Sequence, residues 1–224
     1  MDKLTTMFKR AKQIYKAEGF VSLVRRGFAF VLWLFFDCRT YYLYRYMLDN
    51  NRRLSEAHLK PKIDNILLRV VTTNREADEM EAEGLEFRSQ VYNARQRLDG
   101  GAVAFCIFIR NELAHIGWVA ITQRAKDILG EPPYAVDFSN GEACGASLWT
   151  NPKYRRMGLR VYGAFKRRQF MLDRGKLIDK SAVSKRNAVS QMGSARIGSQ
   201  AYAEGRYLKI LWWKSWKETP LTQG

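Results

Sequence analysis

Histidine and cysteine are scarce in this 224-residue chain, which has two of the first and three of the second. With only His58 and His115, and with Cys38, Cys106 and Cys144 far apart, there is no Cys-x-x-Cys or Cys/His ligand spacing. A structural zinc or a histidine-rich metal site is therefore not expected, and an odd, scattered cysteine set points to a reducing compartment. No Gly-x-Ser-x-Gly elbow is present to support a Ser-His-Asp hydrolase. Long apolar runs are missing as well. Residues 27–36 are ten consecutive uncharged residues between Arg25-Arg26 and the charged Asp37 and Arg39, whereas a bilayer span needs about 20. The run starts late and no small-x-small cleavage site follows it, which fits a signal peptide badly. Acidic residues are few at both ends. Residues 1–62 carry 13 Lys and Arg against 5 acids, residues 63–150 carry 8 against 13, and residues 151–224 carry 17 against 4.

What is present is a folded, enzyme-sized composition, 46% hydrophobic and 13% aromatic, with a net charge of +16. The basic ends favour an anionic partner: phosphates, a lipid surface, nucleic acid or an acidic carrier protein. Leu4, Met7, Phe8, Ala11, Ile14 and Tyr15 recur at helical spacing, with Lys3, Lys9, Arg10, Lys12 and Lys16 on other faces. The apolar run follows, and then Tyr41, Tyr42, Tyr44 and Tyr46 alternate with Arg39 and Arg45, a composition typical of lipid headgroup depth. Residues 1–48 therefore read as helices attached to a membrane interface, placing the protein on the inner, cytoplasmic face. The apolar run read as a buried helix or a homodimer contact is the alternative. Residues 49–62 are polar and contain Pro61, as a linker does.

From residue 63 the pattern is mixed α and β. Residues 66–71 predict a strand, and Asn74 predicts the cap of an acidic helix running towards Leu98, with Gly84 as a break and Gly100-Gly101 as its stop. Residues 102–109 and 115–122 predict a hairpin around a turn at 110–114. After a loop holding Gly130, Glu131, Pro132 and Pro133, a strand ends near Thr150 and a basic helix spans about 157–172. A strand at 177–183, a helix at 187–197 and terminal strands to Trp216 complete the order. Trp212, Trp213 and Trp216 read as core or edge-strand packing.

The most informative stretch is residues 146–163. An apolar strand ends at Asn151-Pro152, and a helix begins after Gly158. A helix N-terminus on a strand end offers unpaired backbone N–H groups to an anion, and a glycine there lets the backbone approach it closely. Residues 155–160, Arg-Arg-Met-Gly-Leu-Arg, resemble the pyrophosphate loop of the GNAT acyltransferase superfamily, whose pattern is Arg or Gln, two residues, Gly, one residue, then Gly or Ala. Arg155 and Gly158 match it, and Arg160 replaces the final small residue. Either Arg160 turns outward or helps bind phosphate, or the loop is degenerate. A second likeness is Ser184-Lys-Arg-Asn187 followed by Arg196-Ile-Gly198.

The resemblance implies an α/β (α+β) fold with a mixed, mostly antiparallel central sheet flanked by helices over residues 63–224, and acetyl-CoA as co-substrate without a metal. Arg155, Arg156, Met157, Gly158, Leu159 and Arg160 would bind its diphosphate. Leu148, Trp149 and Thr150 would pair with the pantetheine arm, which Asn187 would also contact. The basic residues Arg155, Arg156, Arg160, Lys166, Arg167 and Arg168 could meet the 3′-phosphate or an acyl carrier protein. Catalytic candidates are Glu142 as base, with Asp137 and His115 behind it; Asn187; and Tyr202 as acid, because Ser194 stands four residues before Gly198, where the family often has a tyrosine. The expected reaction is acetyl transfer to a primary amine, small or lipid-linked, such as an amino sugar of a surface-polysaccharide precursor. Rival readings are a carrier-protein-dependent acyltransferase, a non-catalytic membrane-bound module and a nucleic-acid binder, the last opposed by the lack of any nucleic-acid-binding motif.

Overall fold

A computed structural model describes residues 36–49 and 54–221. The described part divides into two units. The larger comprises residues 40–205 with 218–221 and the smaller includes residues 206–217, and the following elements run through the described residues in chain order. They are β1 (Phe36–Met47, whose first four residues belong to the smaller unit), α1 (Glu56–Leu59), β2 (Ile66–Val71), α2 (Asn74–Ala82), α3 (Ala94–Asp99), β3 (Val103–Ile109), β4 (Glu112–Ala120), α4 (Gln123–Ile128), β5 (Glu142–Thr150), α5 (Leu159–Asp173), β6 (Ile178–Ser184), α6 (Ala188–Arg196), β7 (Gln200–Ile210) and β8 (Trp213–Pro220). The strand order is β2-β3-β4-β5-β6-β1-β7-β8. Pairs β2–β3, β3–β4, β4–β5 and β1–β6 are antiparallel, whereas β5–β6 is parallel. The parallel pair follows from the connection through α5, since a crossover helix returns the chain in the same direction.

The hairpin shows how local chemistry sets register. Arg110 and Asn111 both have positive φ, 51° and 64°, the conformation of a two-residue turn whose twist matches the strands. The turn is thus shorter than the expected 110–114, and β4 starts at Glu112. Every residue of β3 is buried, because both faces of the sheet are covered. On one face Phe105, Val119 and Met171 of α5 pack with Tyr46 and Leu48, and Ile107, Ile109, Leu159 and Tyr162 form a second cluster. On the other, Trp118 is wholly buried beside Phe87.

Several expectations are corrected. Residues 36–47 form a strand, not part of a membrane helix: Tyr41 to Met47 pair with β6, and Leu43, Tyr44, Tyr46 and Leu48 are buried. Alternating aromatics with period two suit a pleated strand as well as a headgroup layer, and pairing with β6 decides between them. Residues 1–35, which carry the rest of that expectation, lie outside the described residues. The acidic helix is capped by Thr73, whose side chain accepts from Glu76 N–H while Glu76 reaches back to the Thr73 amide. It ends at Ala82, and Gly84 at φ +80° turns the chain before Leu85 and Phe87 enter the core. The loop before Gly130 contains α4, capped by Thr122. In the smaller unit, residues 36–39 and Arg206–Lys217, Trp212 and Trp213 are exposed; of the core or edge-strand packing expected of them the core part fails, while Trp213 does stand on the edge strand β8.

A buried polar network ties α5 to the sheet. Arg168 lies flat on the Tyr46 ring at 3.4 Å, donates to Asp179 Oδ2 at 3.2 Å and reaches Ile197 O and Ser199 Oγ. Removing one member of a buried ion pair leaves the other uncompensated, so Asp179→Ala should cost about 3–5 kcal/mol of unfolding free energy. Urea denaturation of both proteins would measure it.

Candidate active site

β5 and β6 stay paired only over three residues, Glu142 to Cys144 against Ile178 to Lys180. The reason lies in one side chain. Asp179 Oδ1 accepts a hydrogen bond from Gly145 N–H at 3.1 Å, so the amide that would extend the ladder is already satisfied. A Cβ at Gly145 would stand 2.9 Å from that oxygen, and a glycine is what allows the approach. Beyond this point β5 continues against β4, with Trp149 opposite Ile116 and Thr150 opposite His115, while Ser181 to Ser184 of β6 remain paired with β1 alone. The two strands part, and a cavity of about 200 Å³ fills the gap between β5, β6, α5 and α6.

A second irregularity sits in β5. The register against β4 slips between Ile116 and Trp118, and Ser147 takes a left-handed φ of +47°. The extra residue bends the strand, as bulges do next to functional sites. The Ser147 amide meets the Glu131 carboxylate. Glu131 comes from the loop after α4, held by Lys126 Nζ on Pro132 O at 2.9 Å and by Tyr134 OH against Cys144 Sγ at 2.8 Å. Burial raises its pKa to about 7 against the opposing pull of Lys126, the Ser147 amide and Arg97. Glu131 lines the gap and also a larger cavity of about 490 Å³ with Gln123, Lys126 and Tyr134. The two cavities thus share one carboxylate that titrates near neutrality.

At the head of α5, Gly158 caps the helix with φ +78° and Arg156 has φ +66°. The first helical hydrogen bonds run from Val161 and Tyr162 to the Gly158 carbonyl, so the Leu159 and Arg160 amides precede the ladder, as in any helix start. Arg155, Arg156, Met157 and Gly158 are exposed. The loop thus leaves backbone amides open ahead of the helix, the geometry of any unobstructed helix start. Leu148 lines the gap, Trp149 is partly exposed beside it, and Asn187 caps α6 through Ser190 N–H at 3.0 Å. The Asn187 amide nitrogen makes no hydrogen bond among the described residues.

Arg160 neither turns outward nor joins the Gly158 loop. Its guanidinium crosses to α6, donating to Ser190 O at 3.0 Å and Ser194 Oγ at 3.4 Å. Arg167 and Arg168 are buried rather than a surface for phosphate or a carrier protein, and Lys166 pairs with Glu56 at 3.0 Å. Glu142 is bound to Lys180 and to Asp137 N–H, both at 2.6 Å, at the paired end of β5, and does not line the gap. Tyr202 lies away from the gap lining too, between the cations Arg45 and Lys180; burial, Glu218 and Glu142 push it up to about 12. Asp137 organises its own turn through Ser139 and Asn140. The structure therefore brings Leu148, Arg160 and Asn187 to the gap, while residues 155–159, Glu142 and Tyr202 are not among its lining. Glu131 was missed because a carboxylate in a Gly-Glu-Pro-Pro loop looks solvated; two prolines beside it, stiffening the loop, were the available signal.

No family model matches the sequence, and no curated protein matches it. Solved structures to which it is similar include some described as GNAT-family or GCN5-related N-acetyltransferases. A putative acetyltransferase of the GNAT family from Novosphingobium aromaticivorans is 16% identical over 78% of this chain and 64% of its own, with a TM-score of 0.46. A GCN5-related N-acetyltransferase from Kribbella flavida gives 14%, 82%, 63% and 0.48. A GCN5-related N-acetyltransferase-like protein from Streptococcus suis gives 13%, 86%, 68% and 0.48. The chain spans 56% and 66% of two further matching structures, from a Drosophila protein and from a Staphylococcus epidermidis protein of unknown function.

His115, a lesser base candidate, is fully buried under Gly163, with Nδ1 bonded to Thr150 Oγ1 at 2.8 Å. Burial, Arg167 and Arg160 lower its pKa to about 3. It is neutral when folded and gains a proton on unfolding, so its contribution is complete above an unfolded pKa near 6.5 and is lost as pH falls towards 3. His58 is exposed. On its own His115 therefore lowers stability from pH 7 to pH 5, while Glu131, whose raised pKa gives the folded state the extra proton, raises it over the same range. In thermal melts His115→Gln should lose less stability, or gain more, than the parent between pH 7 and pH 5.

Proposed function

We propose that this chain is a GNAT-type N-acyltransferase that moves an acetyl group from acetyl-CoA to a primary amine. The observation that carries the reading is the gap between β5 and β6, wedged by Asp179 and Gly145 and meeting a second cavity at Glu131. The Gly158 loop would hold the diphosphate through backbone amides and the helix dipole. The free edge of β5 at Leu148 and the Asn187 amide would hold the pantetheine arm. The larger cavity would admit the amine to Glu131, which takes its proton as the amine attacks the thioester carbonyl, giving an amide and a free thiol. The thioester is already activated, so positioning and one proton transfer suffice. Buried Ser194, whose oxygen already accepts from Arg160, is a poor acid; the thiolate takes its proton from water.

The acceptor in this reading is an amino group on a lipid-linked or surface-polysaccharide precursor, such as an amino sugar, met at an anionic membrane that the basic N-terminal segment binds. The motive is the charge of residues 1–62 and their apolar run. Among the described residues no helix is long and apolar enough to cross a membrane. Acylation of soluble peptides with no turnover of aminosugar nucleotides or their lipid-linked forms would remove this acceptor.

Calorimetric titration of the whole chain with acetyl-CoA should show micromolar binding, and Gly158→Trp should abolish it by covering the amides. No binding to the parent would shift the reading to an acyl carrier protein as donor. With an acceptor in hand, kcat/KM should rise with pH through about 7, where the Glu131 carboxyl ionises. Glu131→Gln should remove that limb and lower kcat by about 10²–10⁴-fold.

A further inference from the structure

The gap holds more positive charge than a neutral acetyl thioester requires. Arg160 and Arg167, seven residues apart and so on one face of α5, both line it. Each guanidinium lies where an opposing residue has no side chain: a Cβ at Gly193 of α6 would overlap that of Arg160, and a Cβ at Gly117 of β4 would overlap that of Arg167. The two cations are thus built into the walls, and Arg167 is only 5% exposed.

Neither makes an ion pair with a carboxylate among the described residues, although the charge of Asp179 favours the charged form of Arg167. The gap contains two acids, and both are engaged elsewhere: Asp179 with Arg168 and the Gly145 amide, Glu131 near Lys126, Arg97 and the Ser147 amide. Arg160 Nε and Arg167 Nη1 are buried without a hydrogen-bond partner. A buried cationic N–H left unmade is costly, and a guanidinium is matched best by a planar anion with two oxygens. Asn187 and several serines of β6 and α6 supply further polar groups along the same walls.

We propose that Arg160 and Arg167 form a carboxylate receptor in the gap between β5 and β6, so that one substrate of this chain carries a carboxylate group. The identity of the reaction rests on the acyltransferase reading above; the receptor itself does not. Two sources present this chemistry: an acyl chain ending in a carboxylate, as in a dicarboxylic monothioester, or an amine acceptor that is itself an amino acid. In either case Arg160, which stands where the glycine-rich pattern ends in a small residue, serves selection rather than diphosphate binding.

Succinate alone, titrated calorimetrically into the whole chain, tests the receptor without any turnover. The expected result is saturable binding that weakens about tenfold or more in Arg160→Gln, and in Gly193→Ala, which displaces Arg160 while keeping its charge. Arg167→Lys, which keeps the charge and loses the fork, should weaken it as well. Circular dichroism of each variant establishes that it is folded. No succinate binding to the parent, or equal binding to all folded variants, overturns the proposal. Two arms then locate the source. Tighter binding of succinyl-CoA than of acetyl-CoA, lost in Arg160→Gln, assigns the carboxylate to the acyl group. Acetylation of glutamate in preference to its diamide assigns it to the acceptor. Preference in neither arm overturns the assignment to a substrate, while acetyl-CoA binding in the same series tells whether the acyltransferase reading stands.

Discussion

The hydrogen bond from Gly145 N–H to Asp179 Oδ1 is the constraint on which the rest depends. A backbone amide has one proton to give, and once a side chain accepts it the ladder between two parallel strands stops there. Asp179 can serve because Arg168 holds its other oxygen, and Arg168 can serve because it rests on Tyr46 and the carbonyl of Ile197. The gap is therefore maintained by residues from α5, β1 and the end of α6 as well as by the strands that border it. The strand at Phe36–Met47 is part of this device, since Tyr46 is its floor.

The same gap explains why the interior tolerates so much unpaired polarity. Two arginines and a neutral histidine are packed against glycines, at Gly193, Gly117 and Gly163. Their charge is kept by geometry, because a guanidinium stays protonated even where burial lowers its pKa, to about 10 for Arg167. Glu131 shows the opposite behaviour: a carboxyl that burial brings to the middle of the physiological range. A permanent cation pair and a titrating acid thus line the same gap.

Much of the architecture was legible in order and type. β2 and β5 end where the residues say, the basic helix begins next to Gly158, whose left-handed conformation the structure adds, and Asn187 starts a helix. These features are local: a proline, a glycine with positive φ, an Asn whose oxygen reaches an amide three residues on. The acidic helix was less legible because Asn74 and Thr73 are both good caps, and only the reciprocal bond with Glu76 separates them.

The site divides along the same line. The chain alone determined the strand-turn-helix with its exposed amides, since helix starts carry their unsatisfied N–H groups wherever they occur. It also determined the mixed α/β order, through periodicity and turn residues. Tertiary structure alone decided which carboxylate faces the gap. Glu142 and Glu131 are both loop-edge acids in the sequence, and pairing of Glu142 with Lys180 and of Glu131 with a bulged amide tells them apart. It decided likewise that Arg160 turns inward, because the space for it is made by a glycine thirty-three residues later on another helix. Contacts between residues far apart in the chain leave no trace in local spacing, and desolvation, which sets their pKa values, exists only after the elements have packed.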